Sequence, residues 1–485
     1  MNWLLFSEIL YTLVLMMVCL RIITDTRTTN KALSYLLFAV FVPFFGMIFY
    51  FLFGINYRKR KIYSKKLYEN DALANKMRGD IYQYSKQTFN ECDASVQSSR
   101  ELAYMLLKDT TSPLTGNNSV KLLMNGENKF PEVIRALKEA KHHIHVEYYI
   151  YEDDEIGRTI ETILIQKAAE GVEVRFIYDD FGSRSIRRKL VPRLKANGVH
   201  AYSFFRIYFI PFANRLNYRN HRKIIVVDGR TAFVGGINVS DRYINSPEDT
   251  KKLFWRDTHL RIDGPGVQYL QYLFLCDWNF CTEKKLQPDS HFFPPLNSYP
   301  VKDDKVVQIA AGGPDSEMPT ILFSLLKAVN LATKEILIST PYFIPGDGLI
   351  EALMIASLGG IAVKLLVPGQ SDSLLVNSAA KSYYKDLLQT GVEIYLYKRG
   401  FLHAKTLVAD RKIAIVGTAN MDFRSFELNF EVNAIVYDME IANQLSDVFY
   451  ADLKDAEKID AVAWGKRAKY KRLLEKTARL VSPLL

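Results

Sequence analysis

Past residue 66 the chain alternates short apolar runs with longer helix-like stretches, and it does so twice. HIHVEYYIY (His143 to Tyr151) and ILISTPYFIP (Ile336 to Pro345) are strand-like runs that end in aromatic residues. GVEVRFIYDD from Gly171 matches GIAVKLLVPG from Gly360, and LKANGVHAYSF from Leu194 matches LLQTGVEIYLY from Leu387. Each series closes on an apolar hairpin that opens with a histidine: NHRKIIVVDGRTAFVGGIN from Asn220 and HAKTLVADRKIAIVGTAN from His403. Apolar strands alternating with helices predict mixed sheets flanked by helices, an α/β fold. The repetition predicts two homologous domains, 120–290 and 291–485, divided near the Pro-rich FFPPLNSYP (Phe292 to Pro300), with a linker of peripheral helices over 67–119.

The N-terminus has a different pattern. Trp3 to Ile23 is apolar except for Ser7, Glu8, Thr12 and Arg21, and Ser34 to Ile55 carries no charge. Each is long enough to cross the roughly 30 Å hydrocarbon layer as a helix. A cleaved signal peptide would want a basic start, whereas Glu8 is the first charge here. Pro43 is tolerable in a membrane helix. The expectation is a two-helix anchor over 1–66, with helices at about 3–23 and 34–55. The run NYRKRKIYSKK follows, with Arg58, Lys59, Arg60, Lys61, Lys65 and Lys66. The positive-inside bias then puts the remaining chain on the cytoplasmic side of the cell membrane, with this cluster on anionic headgroups.

With 485 residues the chain exceeds one ordinary core. Its net charge of +10 suits an anionic partner; the apolar N-terminus points to an anionic membrane rather than nucleic acid. The four cysteines (Cys19, Cys92, Cys276, Cys281) have no CxxC spacing; Cys276 and Cys281 could pair, but reduced thiols are the preferred reading.

The hairpins carry the chemistry. Side chains alternate along a strand, so His221, Lys223, Ile225 and Val227 share a face and HxK aims both basic groups at one target. Asp228-Gly229 reads as a two-residue turn, which makes Asp228 structural rather than a proton donor. A turn centred there sets His221 opposite Gly236, with Gly235 and Gly236 leaving empty space for a ligand, and sets His403 opposite Thr418 in the second copy. The spacings recur in register: His221, Lys223, Asp228, Gly235, Asn238, then His403, Lys405, Asp410, Gly417, Asn420. One such pattern is weak; two with the same downstream residues are strong.

Two histidines, two lysines and two asparagines suit a phosphodiester. Lysines and amides hold the oxygens without a cation; one neutral imidazole attacks phosphorus and the other moves the proton. No metal or cofactor is expected. A working imidazole needs its far nitrogen held. Glu431, in FELNFEVNA, is the candidate for His403, and Asp257, in FWRDTHLRI, the candidate for His221.

These motifs resemble the phospholipase D superfamily, whose signature is HxKx4D followed by GGxN or G(S/T)xN, twice. NYRNHRKI, YDDFGS, FWRDT, GFLHAKT, GTANMDFRSFELNFE and the terminal SPLL are similar to bacterial cardiolipin synthases, as are two N-terminal membrane segments. The resemblance implies duplicated phospholipase D-like domains related by a pseudo-two-fold, preceded by two transmembrane helices. It implies phosphatidyl transfer between two phosphatidylglycerol molecules, giving cardiolipin and glycerol. It further implies a catalytic set of His221, Lys223, Asp228, His403, Lys405 and Asp410, with His221 as nucleophile and His403 as acid/base. Lys223, Lys405, Asn238 and Asn420 would bind the phosphate. Asp257 departs from the glutamate of the second copy. A phospholipase D or nuclease, and a non-catalytic scaffold, are the competing classes; the intact motifs and membrane segments weigh against them.

Other residues attract attention. His143, His145 and Glu147 alternate along a strand and could ligate zinc; the packed-strand reading is preferred, with Glu147 and Tyr148 lining the cleft. His200, His259 and His291 stand alone and read as structural. RIYFIPFANRLNY before the first hairpin reads either as a packed loop or as an interfacial segment. The basic tail WGKRAKYKRLLEKTARLVSPLL suits a solvated or a membrane-lying helix. The sequence leaves the oligomeric state open.

Overall fold

A computed structural model describes residues 3–26, 29–42, 44–51, 72–92, 94–110, 112–205, 218–246, 252–287, 289–295, 298–299, 303–371 and 373–481. The first lobe contributes β1 (Thr115–Met124), β2 (His143–Tyr148), β3 (Glu173–Asp179), β4 (His200–Phe204), β5 (Lys223–Val227), β6 (Thr231–Gly235), β7 (Phe254–Arg256) and β8 (Thr258–Asp263). The second contributes β9 (Lys305–Gly312), β10 (Glu335–Ser339), β11 (Phe343–Ile344), β12 (Ala362–Pro368), β13 (Glu393–Tyr397), β14 (Gly400–Leu402), β15 (Thr406–Ala409), β16 (Ile413–Gly417), β17 (Met421–Asp422), β18 (Glu431–Val436) and β19 (Ala456–Lys458).

Fifteen of these form one sheet in the order β19-β13-β12-β10-β15-β16-β18-β9-β1-β8-β6-β5-β2-β3-β4. Outward from its centre the order β1-β8-β6-β5-β2-β3-β4 has the same plan as β9-β18-β16-β15-β10-β12-β13. The duplication is thus a pseudo-two-fold, with its axis where β1 and β9 pair antiparallel. That pairing joins what the sequence suggests are separate sheets into a single mixed one.

Alternate positions of the hairpin strand feed different layers. Ile225 and Val227 pack under the first lobe's helices (Asn125–Glu139, Glu155–Ala169, Leu190–Ala196). Ile224 and Val226 join a core shared with Leu337, Val408, Val432 and Leu445 of the second lobe. On the opposite face of the second lobe, the helices Thr320–Leu331, Asp347–Leu358 and Leu374–Gln389 cover a core that also takes Phe89, Leu102 and Leu106 from the helices before β1. Phe292 packs on the first lobe, and the Tyr299 hydroxyl donates to the Gly229 carbonyl at 2.8 Å.

The turns differ from the two-residue expectation. Val227 pairs with Thr231 and Ala409 with Ile413, so each loop has three residues, Asp228-Gly229-Arg230 and Asp410-Arg411-Lys412. Asp228 and Gly229 take φ of 53° and 63°, and Asp410 and Arg411 both take 54°, the left-handed conformation that lets a short loop close. The register therefore shifts by one from that expected, with Ile224 across from Val234 and Thr406 across from Val416, and both histidines lie before the paired strands.

At the N-terminus, Trp3–Asp25 is the one described helix long and apolar enough to cross a membrane. The second apolar run, expected as a helix over about 34–55, is described over 34–42 and 44–51. Its helix ends at Phe41, and a five-residue helix, Phe45–Phe49, follows. Pro43 itself, the basic cluster from Arg58 to Lys66 and residues 206–217 of RIYFIPFANRLNY lie outside the described residues. The tail forms the helix Lys469–Val481, with Tyr470, Leu473, Leu474 and Leu480 exposed; the Leu480 carbonyl accepts the Ser34 hydroxyl at 3.0 Å.

Candidate active site

The chain reaches each hairpin by crossing to the other lobe. Just before β5, Asn220 bridges Phe430, and the His221 N–H donates to the Phe430 carbonyl at 2.9 Å. Just before β15, β14 lies parallel to β7, and the His403 N–H donates to the Arg256 carbonyl at 2.8 Å. Phe430 precedes Glu431 and Arg256 precedes Asp257, so each crossing delivers a histidine to the acid of the opposite lobe.

This reverses the pairing expected from the sequence. His221 Nδ1 lies 3.1 Å from Glu431 Oε2 and 3.0 Å from Oε1. His403 Nδ1 lies 2.7 Å from Asp257 Oδ2. Acids placed at matching points of the two repeats are exchanged because the pseudo-two-fold sets the mouth of each hairpin against the partner lobe. Both carboxylates are fully buried. Glu431 also accepts the Thr418 hydroxyl and Asn429 Nδ2, and Asp257 accepts the Thr258 N–H at 2.7 Å. Although burial opposes ionisation, His221 and Lys223 hold Glu431 below its ordinary range, and Lys405 and His403 do the same for Asp257.

The glycines after each hairpin do not leave the ligand space expected of them. A Cβ on Gly236 would stand 2.1 Å from Asp257 Oδ1, and one on Gly417 1.9 Å from Asn433 Oδ1. The missing side chains admit neighbouring polar groups instead; at Gly236 the guest is the acid that holds His403.

His221, His403, Asn238 and Asn420 line one cavity of about 440 Å³ between the lobes. Tyr149 and Ile150 line it in place of Glu147 and Tyr148, which point into the protein. The Tyr149 ring lies 4.5 Å from that of His221, and Trp255 lies 5.5 Å from His403. Asn238 Nδ2 donates to the Tyr243 hydroxyl at 2.6 Å. Lys223 and Lys405 stand one layer back. Lys223 Nζ donates to the His221 carbonyl at 2.7 Å, and Lys405 donates to the His403 carbonyl.

Burial, then the neighbouring lysine, pushes both imidazoles toward the neutral form. The His403 value falls to about 3, and His221 is lowered as well against the pull of Glu431. Burial, aided by Lys405, brings Lys223 down to about 7. The cavity is poised for an anion, whose charge would offset both lysines.

Asp228 and Asp410 are at the far ends of the hairpins. Asp228 accepts the N–H groups of Lys141, His142 and His143 at 2.8–2.9 Å, and Asp410 those of Thr333, Lys334 and Glu335 at 2.7–3.0 Å. They pin β2 and β10 to the hairpins and are not among the residues that line the cavity, unlike His221 and His403 of the expected catalytic set. His143 and His145 are buried against Gln271, and His259 Nδ1 accepts the Ile237 N–H. No cluster of three metal-ligating side chains occurs among the described residues. Glu147 accepts Asn220 Nδ2 beneath His221, and burial, then Asp277, keeps its carboxyl well above the usual range.

Three arginines on the cavity wall were not singled out from the sequence: Arg219, Arg242 and Arg424. A signal existed for two of them, since Arg242 and Arg424 each follow their histidine by 21 residues.

The family profile "Cardiolipin synthase, PLD-like domain" matches residues 133–254 and 325–453. The chain belongs to the cardiolipin synthase family. A second profile, "Phospholipase_D-nuclease N-terminal", matches residues 11–54. The cardiolipin synthase of Halalkalibacterium halodurans is 40% identical over 479 residues, covering 99% of this chain and 93% of that one. The major cardiolipin synthase ClsA of Bacillus subtilis is 38% identical, covering 99% and 98%. Among solved structures, the phosphatidylserine synthase of Haemophilus influenzae superimposes with a TM-score of 0.60 at 14% identity, covering 81% of this chain and all of that one. Its fold is shared with this cardiolipin synthase family member.

Proposed function

We infer that the chain is a membrane-associated phosphatidyltransferase that makes cardiolipin: one phosphatidylglycerol gives its phosphatidyl group to a second, and glycerol is released. The observation that carries this reading is the pair of imidazoles on one cavity wall, each with Nδ1 on a buried carboxylate.

His221, with its Nδ1–H on Glu431, offers a neutral Nε2 to phosphorus. As the Nε2–P bond forms, the bond from phosphorus to the glycerol oxygen breaks. His403 gives its Nε2 proton to that oxygen, and glycerol leaves. The now neutral His403 accepts the proton of a hydroxyl on the second phosphatidylglycerol. That oxygen bonds to phosphorus as Nε2–P breaks, which restores neutral His221 and protonated His403. Asp257 orients His403 and stabilises its imidazolium, the role a buried acid has beside a working histidine. Lys223 and Lys405 supply field at the five-coordinate phosphorus, and Asn238 and Asn420 offer amides to its oxygens. Once bound, the phosphodiester charge offsets the lysines and lets His403 carry its proton.

The N-terminal segment is the anchor. Two membrane passes with both lobes on the cytoplasmic side follow from the two apolar runs and the basic residues after them. The ligands are phosphatidylglycerol and anionic lipids of the bilayer.

Purified full-length protein incubated with phosphatidylglycerol vesicles should yield cardiolipin and glycerol in equal amounts, with neither from His221→Ala. Phosphatidic acid without cardiolipin would make the protein a hydrolase instead. In a cysteine-free background, a cysteine placed in the linker TDTRTTNKAL should react with an impermeant maleimide in intact cells and one in a lobe should not; the opposite pattern would invert the topology.

A further inference from the structure

The cavity holds more positive charge than one phosphodiester needs, and holds it unevenly. Arg242 and Arg424 occupy matching positions of the two repeats, and the Arg242 guanidinium pairs with Glu152 and lies 5.6 Å from the Trp255 ring centre. Arg219 has no cationic mate, because the residue two before the other histidine is Phe401. Its side chain is built into the wall. It is 5% exposed, its guanidinium lies 4.8 Å from the Phe181 ring centre, and its carbonyl accepts the Phe430 N–H at 2.8 Å.

Arg219 NH1 is buried, yet no hydrogen-bond acceptor meets it among the described residues. The neighbouring carboxylate is occupied elsewhere. Asp179 Oδ1 accepts the Phe181 and Gly182 N–H groups, and Oδ2 accepts that of Asn220. Arg424 lines the same cavity as Arg219, and so does Tyr149, whose ring lies 4.5 Å from that of His221. A buried guanidinium donor without an acceptor is costly and rare. Arg219 lines the cavity, so an anion bound there would supply an acceptor once the side chain turns toward it.

We propose that Arg219, together with Arg424, forms a second phosphate subsite that holds the phosphodiester of the acceptor lipid, the one that is not attacked. The proposal rests on the phosphatidylglycerol-to-cardiolipin reading. Transfer to an alcohol needs only one phosphate at the histidine pair. An acceptor phosphatidylglycerol brings a second, three carbons from its attacking hydroxyl. Glycerol and water, the competing acceptors, bring none. Planar guanidinium groups that grip this second phosphate place the hydroxyl. They also favour synthesis over hydrolysis and over return of glycerol, because the wrong acceptors leave the arginine unpaired.

The test compares two acceptors that share one donor and one intermediate. Purified full-length protein in phosphatidylglycerol vesicles is assayed for cardiolipin and, in parallel, for incorporation of radiolabelled glycerol into phosphatidylglycerol. Arg219→Gln should lower cardiolipin formation about 10- to 100-fold more than it lowers glycerol exchange, and Arg219→Lys should give an intermediate ratio. Equal loss of both activities would assign Arg219 to the donor phosphate and overturn the proposal, as would loss of neither. If Arg219→Gln fails to melt cooperatively, Arg424→Gln is read by the same ratio. Wild-type protein that exchanges glycerol but makes no cardiolipin would defeat the functional reading instead.

Discussion

His403 Nδ1 lies 2.7 Å from Asp257 Oδ2, 146 residues earlier in the chain and in the other lobe. Its counterpart, His221 with Glu431, spans 210 residues in the opposite sense. Neither lobe contains a complete histidine–acid pair, so the two dyads form only when the lobes close on each other around the cavity.

The crossed pairing gives the two acids separable effects. With a phosphatidyl donor whose leaving group is p-nitrophenolate, no proton is needed to expel it, and His403 and Asp257 drop out of the first step. Glu431→Gln should slow the p-nitrophenolate burst by about 10²- to 10³-fold. Asp257→Asn should leave the burst within about threefold of wild type while slowing cardiolipin formation about 10²-fold or more. The reverse pattern would make His403 the nucleophile.

Lys223 makes activity and stability respond to pH in opposite directions. Burial, with Lys405 beside it, brings its folded value down to about 7 from an ordinary lysine value, so between the two the unfolded chain binds the extra proton and stability rises with pH. Lys223→Met should therefore raise Tm at pH 6, and the gain should shrink as pH climbs above 7. kcat/KM of the wild type should fall above about 7 as Lys223 loses its charge, and Lys223→Arg should move that limb out of range. A flat wild-type profile from pH 6 to 9 would contradict this assignment.

Gly236 tests whether the space beside the hairpin belongs to the acid. A methyl group there would meet Asp257 Oδ1 at 2.1 Å, so Gly236→Ala should displace the carboxylate from His403. We expect a folded protein destabilised by about 1–3 kcal/mol and cardiolipin formation reduced by about 10²-fold. The loss should follow the Asp257→Asn pattern with the p-nitrophenyl donor. Full activity would show that Asp257 does not need this position.

Asp228 should matter to stability rather than chemistry. Its carboxylate collects three backbone N–H groups at the start of β2. Asp228→Asn, which keeps a side chain suited to positive φ, should cost about 1–3 kcal/mol in thermal melts. Activity per folded molecule should stay within about threefold. A selective fall in kcat without a fall in Tm would return Asp228 to the catalytic set.

Much of the site was legible in the chain. The two hairpins repeat in register, and period-two alternation places His221 and Lys223 on the face that also carries Ile225 and Val227. Asp-Gly by itself signals a two-residue turn, whereas in the fold Arg230 joins the loop. The register shift followed from that. Composition predicts one apolar helix over about 34–55, and its described part holds a helix ending at Phe41 and a short one, Phe45–Phe49. Arg242 and Arg424 recur at a common spacing from their histidines; Arg219 has no repeat partner, so no internal pattern marks it.

By itself the sequence determined the duplication, the α/β alternation, the two HxK hairpins and the apolar N-terminus, because these depend on residue order and on side-chain periodicity within a few residues. Only the tertiary structure decided which acid holds which histidine, what fills the space beside Gly236, and that Arg219 NH1 is buried on the cavity wall without an acceptor among the described residues. Those depend on where the pseudo-two-fold axis falls, at the pairing of β1 with β9. That axis brings together groups more than a hundred residues apart, whose contacts leave no local trace in the chain.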